Sequence, residues 1–204
     1  MGAGPRVALT FDAEHPDRPL CPPGNAERIL DALADARARA TFFVQGRWAL
    51  SQPAAARRIA DDGHLVGHHS HFHARMPLLS ADGLATDVVE GAEAIERTTG
   101  VDPRPWFRFP FGAGHDEPEV RDRVRALGYT PVGWHVVLED WEPWRTADDL
   151  VAGAIAGVRE HGDGAVVLLH TWPGPTGEAL PRMLEGLRAL DATLVTVADL
   201  EDLP

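Results

Sequence analysis

The stretch from Asp62 to His73 is rich in side chains that can bind a metal, and it holds five of the ten histidines in the chain. His69 and His73 are four residues apart, and on a helical turn two residues with this spacing share one face. Imidazole is a good ligand for zinc and similar divalent metals. The spacing predicts that His69 and His73 bind one metal ion, although a polar loop with clustered histidines has the same composition.

Polar residues that can take part in catalysis follow short apolar runs at four places in the chain. These residues are Asp12, His69, Arg108 and His170. The apolar runs are typical of buried strands, and in barrels of alternating strands and helices the strand ends carry the catalytic groups on one face. We therefore predict one shared site. Taken singly, each residue also has an ordinary interpretation, as a turn cap, an ion-pair partner or a histidine at a strand end.

Together these side chains are suited to metal-assisted hydrolysis of an amide or an ester. A metal held by two histidines and a carboxylate polarises a carbonyl group and lowers the pKa of water towards ~7. A second carboxylate can accept the proton of the attacking water, and a histidine can donate a proton to the leaving nitrogen. Arg108 can orient that carboxylate, and a backbone N–H beside Phe111 or Gly112 can stabilise the oxyanion.

The elements that must position these residues alternate between apolar strands and amphipathic helices. Strands are predicted over 7–11, 41–44, 65–67 and 165–169, and helices over 25–36, 80–100, 146–160 and 180–190. Short, continuously apolar strands between helices predict an α/β fold with a parallel sheet covered by helices. About seven such units fit a small or incomplete (β/α) barrel, and 204 residues suit a single domain spanning 1–204.

The composition excludes several classes of protein. The chain has 31 acidic and 19 basic residues and a net charge of −12, which opposes binding to nucleic acid or to an anionic membrane surface. Cys21 is the only cysteine, so an intrachain disulfide is excluded, and no apolar run is long enough to span a membrane. With no long apolar leader, we expect a cytoplasmic protein, or a secreted one if an export signal has been removed.

Five motifs resemble those of the polysaccharide deacetylase family, also called carbohydrate esterase family 4 or the NodB-homology domain, between Val7 and about Leu200. Thr10-Phe11-Asp12 is similar to the first motif, and the resemblance implies that Asp12 is the catalytic base. The run from Gly63 to His73 is similar to the metal motif, which implies that His69 and His73 are ligands. Arg108-Phe109-Pro110-Phe111-Gly112 resembles the third motif, in which the arginine orients the base.

The remaining two motifs lie in the second half of the chain. Asp140-Trp141 resembles the end of the fourth, which implies that Asp140 supports the catalytic histidine and that Trp141 walls the acetyl pocket. Val166-Val167-Leu168-Leu169-His170 resembles the fifth, which implies that His170 is the general acid. The family's fold is a distorted barrel of strands and helices with one divalent metal ion, often zinc, and we expect both here.

The first motif departs from the family pattern. The family has two adjacent aspartates, of which the second binds the metal, but the second position here is Ala13. Along an extended strand residues i and i+2 point to the same side, so Glu14 is the ligand that we predict beside Asp12. Two alternatives remain open: Asp12 itself binds the metal, or metal binding is weak.

The function expected from these motifs is metal-dependent hydrolysis of a non-peptide C–N bond, most simply N-deacetylation of an amino sugar or an oligosaccharide. We expect Phe111, Trp141 and Trp172 to contact such a substrate. For the two tryptophans the reason is that flat aromatic faces suit sugar rings, although core packing is the ordinary role of a tryptophan. The alternatives are a hydrolase of cyclic amides or ureides, and an inactive carbohydrate-binding module on the same fold. The oligomeric state stays open.

Overall fold

The computed structural model of the protein describes residues 4–15 and 21–204. Within these ranges eight strands and seven α-helices follow one another along the chain. The strands are β1 (Arg6–Ala13), β2 (Thr41–Val44), β3 (Leu65–His68), β4 (Trp106–Phe107), β5 (Thr130–Pro131), β6 (Val136–Val137), β7 (Ala165–His170) and β8 (Thr193–Val195). The helices are α1 (Asn25–Asp35), α2 (Gly46–Ser51), α3 (Pro53–Asp61), α4 (Ala81–Thr99), α5 (Pro118–Ala126), α6 (Ala147–His161) and α7 (Gly174–Arg188).

The described residues form two compact units, and strands β1 and β2 contribute to both. The first unit consists of the described parts of 1–11, 17–41 and 134–204. In it β1 pairs in parallel with β8, with Arg6 opposite Thr193, and β7 lies between β1 and β6. Helix α7 packs against α1 and α6. Strand β7 is buried along its whole length, which explains its continuously apolar sequence up to its last residue, His170.

The second unit consists of the described parts of 12–16 and 42–133. Its strands lie in the order β5-β4-β3-β2, followed by the end of β1. Strands β3, β4 and β5 are parallel, with His68 opposite Phe107 and Trp106 opposite Thr130. Helix α4 packs against α2 and α3. The apolar core on this side contains Met76, Leu84, Val88, Phe107, Phe109, Val120, Val124 and Tyr129. The predicted α/β class with parallel strands is therefore confirmed.

Several helix ends lie where the sequence predicts them. The Ser80 hydroxyl accepts a hydrogen bond from the N–H of Gly83 at 3.1 Å, which caps the start of α4. Gly100 ends the same helix in the left-handed conformation, with φ 79°. Thr146 and Asp149 form a reciprocal capping box at the start of α6. None of the helices in the described ranges is long and apolar enough to cross a membrane.

Two of these elements differ from their predicted bounds by more than one residue. Strand β1 does not end at Phe11 but continues to Ala13, because the carbonyl of Ala13 accepts a hydrogen bond from the N–H of Gln45 at 2.9 Å. Helix α7 begins at Gly174 and not at Leu180, since a proline in the first turn of a helix needs no N–H partner. Pro181, inside the helix, is tolerated as well. The short helix α2 has no clear periodic signal and was not predicted.

Candidate active site

The segment that carries the two candidate histidine ligands is a loop and not a helical turn. His69 directly follows β3, and no helix covers residues 69–73, which we call the histidine loop. Ser70 and His73 adopt left-handed backbone angles, with φ 63° and 59°. The assumption that His69 and His73 lie on one helical turn is therefore wrong. The imidazole rings of His69 and His73 nevertheless converge, with centroids 4.9 Å apart.

Helix α4 holds the histidine loop in this conformation through one buried carboxylate. Asp87 accepts hydrogen bonds from the backbone N–H of His71 at 2.9 Å and of Phe72 at 3.1 Å. Within the loop, the Ser70 hydroxyl accepts a hydrogen bond from the N–H of His73 at 2.8 Å. These hydrogen bonds offset the free-energy cost of left-handed backbone angles in residues other than glycine. Sequence reasoning missed Asp87, since nothing nearby in the chain signals a partner sixteen residues away.

Helix α4 can approach the histidine loop closely because Gly91 lacks a side chain. A Cβ atom at this position would lie 2.6 Å from Nε2 of His68 and 3.0 Å from the backbone nitrogen of His71. His68 itself is fully buried, stacks on Phe107 and has a pKa lowered to about 3, chiefly by that burial. Neither neighbour can move freely, so the glycine is a steric requirement of the loop.

Replacing Gly91 with alanine is expected to destabilise the protein by about 1–3 kcal/mol, the usual cost of overpacking, although alanine favours a helix. Because the loop backbone must shift, metal affinity is expected to fall as well. Denaturant unfolding and metal titration measure the two effects. The matched control is Gly153→Ala in α6, where the new Cβ would meet only the rotatable end of Leu138 at 3.1 Å. A Gly91→Ala protein as stable as wild type would contradict the steric argument.

Three predicted metal ligands lie together. Ligand atoms of Glu14, His69 and His73 are all within 4.8 Å of one another, and all three side chains are largely buried. An Oε2–Nε2 distance of 3.1 Å joins Glu14 to His69, and the same oxygen also contacts Nε2 of His73. Two imidazoles and a carboxylate form a donor set that suits a catalytic zinc ion with an open position.

The proton position inferred for His69 fits a cation between His69 and Glu14. Nδ1 of His69 lies 2.9 Å from the carbonyl oxygen of Arg108, which can only accept, so Nδ1 carries the proton. In a neutral ring, Nε2 then presents its lone pair to Glu14, and two acceptors in contact require a proton or a metal between them. Burial lowers the pKa of His69, but Asp12 and Glu14 outweigh it and raise the pKa overall. Burial lowers the pKa of His73 more than Glu14 raises it.

Glu14 and Asp12 approach the same histidine, as strand alternation predicts. Oδ2 of Asp12 lies 3.5 Å from Nε2 of His69, compared with 3.1 Å for Oε2 of Glu14. Asp12 is inside β1, and Glu14 directly follows that strand. The two carboxylates therefore share one side of the chain, while Ala13 between them is buried and has no ligand atom.

Arg108 is fully buried, and its guanidinium holds the Asp12 carboxylate. Its Nη1 donates to Oδ1 of Asp12 at 3.0 Å, and its Nη2 donates to the carbonyl of Gly133 at 2.7 Å. The guanidinium carbon also lies 4.1 Å from the ring centroid of Phe43. Burial lowers the pKa of Arg108, while Asp12 opposes that effect. One oxygen of Asp12 is thus engaged by a cation, and the other faces the candidate metal ligands.

Phe111 lies at the exposed rim of the candidate metal-ligand group. The residue is 54% exposed, and its ring packs edge-on against His73, with centroids 4.4 Å apart. The guanidinium of Arg75 lies 4.4 Å from the same ring. Phe111 has φ 58°, a left-handed conformation that costs free energy for a bulky residue and is often found at functional sites. The N–H of Gly112 donates to the carbonyl of Phe109, so of the two predicted oxyanion donors only Phe111 stays a candidate.

The first unit contains a separate group of polar residues around His170. Oδ1 of Asp140 lies 2.7 Å from Nδ1 of His170, and Oδ2 accepts the backbone N–H of His170 at 2.8 Å. The Thr176 hydroxyl donates to Oδ2 of Asp140 at 2.6 Å. The predicted pair of Asp140 and His170 is therefore in contact, and the carboxylate fixes the proton on Nδ1. Thr176 was missed because it lies in the part of α7 that was not predicted.

Two predicted substrate-binding tryptophans flank His170 within this unit. Trp141 packs edge-on against the imidazole, with centroids 5.2 Å apart, and is 36% exposed. The Trp172 ring lies 6.2 Å from the imidazole and is largely buried. Trp141 thus has an accessible face, whereas the environment of Trp172 resembles core packing. Contact with a substrate stays a prediction for both.

Comparison with known proteins identifies a family and several solved relatives. The model of the family described as polysaccharide deacetylase matches residues 2–132. Peptidoglycan-N-acetylmuramic acid deacetylase PdaA of Bacillus subtilis (strain 168) is 28% identical over 95% of this chain and 70% of that protein. A family 4 carbohydrate esterase from Streptomyces lividans, solved in complex with acetate, is 30% identical, with a TM-score of 0.81 over 95% of this chain and 93% of the other.

A third relative is a pseudoenzyme. The wild-type structure of a family 4 pseudoenzyme from Bacillus anthracis is 27% identical, with a TM-score of 0.85 over 98% of this chain and 66% of the other. Together the comparisons confirm the motif resemblance and the predicted (β/α)-barrel fold class.

Proposed function

Because the chain belongs to the polysaccharide deacetylase family, we propose that this deacetylase-like enzyme is a metal-dependent hydrolase that removes acetyl groups from an N-acetylated amino sugar or oligosaccharide. The observation that carries the proposal is the convergence of Glu14, His69 and His73 within 4.8 Å. These three side chains would hold one divalent ion, and zinc is the ion that we expect from the donor set. Such an ion supplies Lewis-acid polarisation of the amide carbonyl and makes water more acidic.

In the proposed reaction, the remaining residues move protons. Asp12 accepts a proton from the water that attacks the acetyl carbon, and Arg108 holds Asp12 in position for this. His170 donates a proton to the nitrogen as the C–N bond breaks, and Asp140 orients the imidazole through Nδ1. The products are acetate and a free amine.

The proposed substrate class draws on the names of the relatives and on the exposed aromatic rings. The Bacillus subtilis relative is named for N-acetylmuramic acid and the Streptomyces lividans structure holds acetate, so an acetylated sugar is the simplest common substrate. Phe111, beside His73, and Trp141, beside His170, offer accessible faces for sugar rings.

A second candidate is an inactive carbohydrate-binding module. The similarity to a pseudoenzyme and the loss of a ligand at Ala13 favour it. The interactions of Asp12 with Arg108 and of Asp140 with His170 count against it, because a binding module needs no acid–base groups.

Metal content and metal affinity separate these candidates. Elemental analysis of wild type should find close to one divalent ion per chain, and Glu14→Ala or His69→Ala should weaken binding by more than about 100-fold, because a direct ligand matters more than its supporting groups. Glu90→Ala and His161→Ala, at exposed positions outside the group, are matched controls that should bind as wild type does.

The two possible failures of this experiment are distinct. Unchanged affinity in Glu14→Ala would remove Glu14 from the ligand set. A wild-type protein that binds no metal even when zinc is supplied would overturn the proposed enzyme and favour the binding module.

A further inference from the structure

We infer that His15 is a positioning residue that orients Glu14 as a metal ligand. This inference rests on the proposed function, because it requires Glu14 to bind the metal. It concerns the residue after Glu14, to which neither the motif resemblance nor the strand alternation assigned a role.

The two carboxylate oxygens of Glu14 face different partners. Oε2 faces Nε2 of His69 and of His73, where the metal would bind. Oε1 lies 3.0 Å from Nε2 of His15. An N–H donated from His15 to Oε1 would keep Oε2 directed at the metal and prevent rotation of the carboxylate. Hydrogen bonds of this kind, one shell beyond the metal, commonly set the strength of metal binding.

The backbone around His15 is held in one conformation by hydrogen bonds. His15 has φ 53°, so the chain turns sharply just after Glu14. The side-chain oxygen of Gln45 accepts the N–H of His15 at 3.1 Å, and the backbone N–H of Gln45 donates to Ala13 at 2.9 Å. The buried Gln45 therefore fixes the backbone on both sides of Glu14, at Ala13 and at His15.

The His15 ring also packs against a second ligand. It lies edge-on to His73, with centroids 4.5 Å apart. A hydrogen bond to Glu14 and a ring contact with His73 are thus two separable roles. An experiment must distinguish them, because only the first is a positioning role toward the carboxylate.

Three substitutions make that distinction. His15→Ala removes both the donor and the ring, His15→Phe keeps the ring but has no donor, and His15→Gln keeps an N–H donor at a similar reach. The measurement is zinc affinity by competition with a chelator, and the thermal midpoint of each metal-free protein reports whether it folds as wild type does. We expect affinity to fall by about 10–100-fold in the alanine and phenylalanine variants and to be largely restored by glutamine.

Two results would overturn the inference. One is a His15→Gln variant that binds zinc as weakly as His15→Ala does, and the other is a His15→Phe variant that binds zinc as tightly as wild type. If the proposed ligand set is wrong, Glu14→Ala will bind zinc as tightly as wild type does. His15 would then have no positioning role either. Loss of affinity in Glu14→Ala together with unchanged affinity in His15→Ala would overturn only the inference about His15.

Discussion

Replacing Asp12 with asparagine is expected to lower kcat for deacetylation by about 10²–10⁴, the usual contribution of a general base, while the metal stays bound. The carboxylate oxygen that faces the ligand group would be replaced by an amide, which cannot accept the proton of the attacking water. The remaining carbonyl oxygen can still accept the hydrogen bond from Arg108 that Oδ1 accepts in the wild type. The measurement is kcat with an N-acetylated oligosaccharide, together with metal content.

Asparagine is the appropriate substitution because Arg108 is fully buried. Removing one partner of a buried ion pair outright typically costs about 3–5 kcal/mol, since the other charge is left uncompensated. Asparagine keeps a polar partner, so a smaller loss is expected, and thermal unfolding of the variant shows whether it is folded at the assay temperature.

The outcomes for Asp12→Asn distinguish the alternatives that the sequence leaves open. Loss of turnover with metal retained supports the role of base. Loss of metal together with turnover would instead make Asp12 a ligand. Full activity in a folded, metal-loaded variant would remove Asp12 from the mechanism.

Replacing His170 with alanine is expected to lower kcat by about 10²–10⁴ as well, because an amine is a poor leaving group without a proton. Asp140→Asn should also lower kcat, since an amide can no longer fix the proton on Nδ1 of His170. His161→Ala, an exposed histidine in α6, is the control and should leave kcat unchanged.

The choice of substrate tests the acid role of His170 directly. An ester such as 4-nitrophenyl acetate releases a stable anion that needs no proton. If His170 is the general acid, His170→Ala should lower kcat by less than about tenfold with this ester. An equal loss with the amide and the ester would mean that His170 contributes something other than a proton to the leaving group.

The sequence by itself predicted the candidate catalytic residues from their positions along the chain. Asp12, His69, Arg108 and His170 lie at or next to the ends of strands, and a short apolar run reveals a buried strand without any knowledge of its neighbours. The shared approach of Asp12 and Glu14 to His69 was predictable for the same reason, because alternation along a strand is a property of the local chain.

Only the tertiary structure decided how the candidate histidine ligands are held. The spacing of His69 and His73 suggested a helical turn, but the loop follows left-handed angles that depend on Asp87 in α4 and on the space left by Gly91. The contact of Thr176 with Asp140 is likewise between elements far apart in the chain. A polar loop has no periodicity of its own, so its path follows from hydrogen-bond partners and close contacts that exist only once the chain has folded.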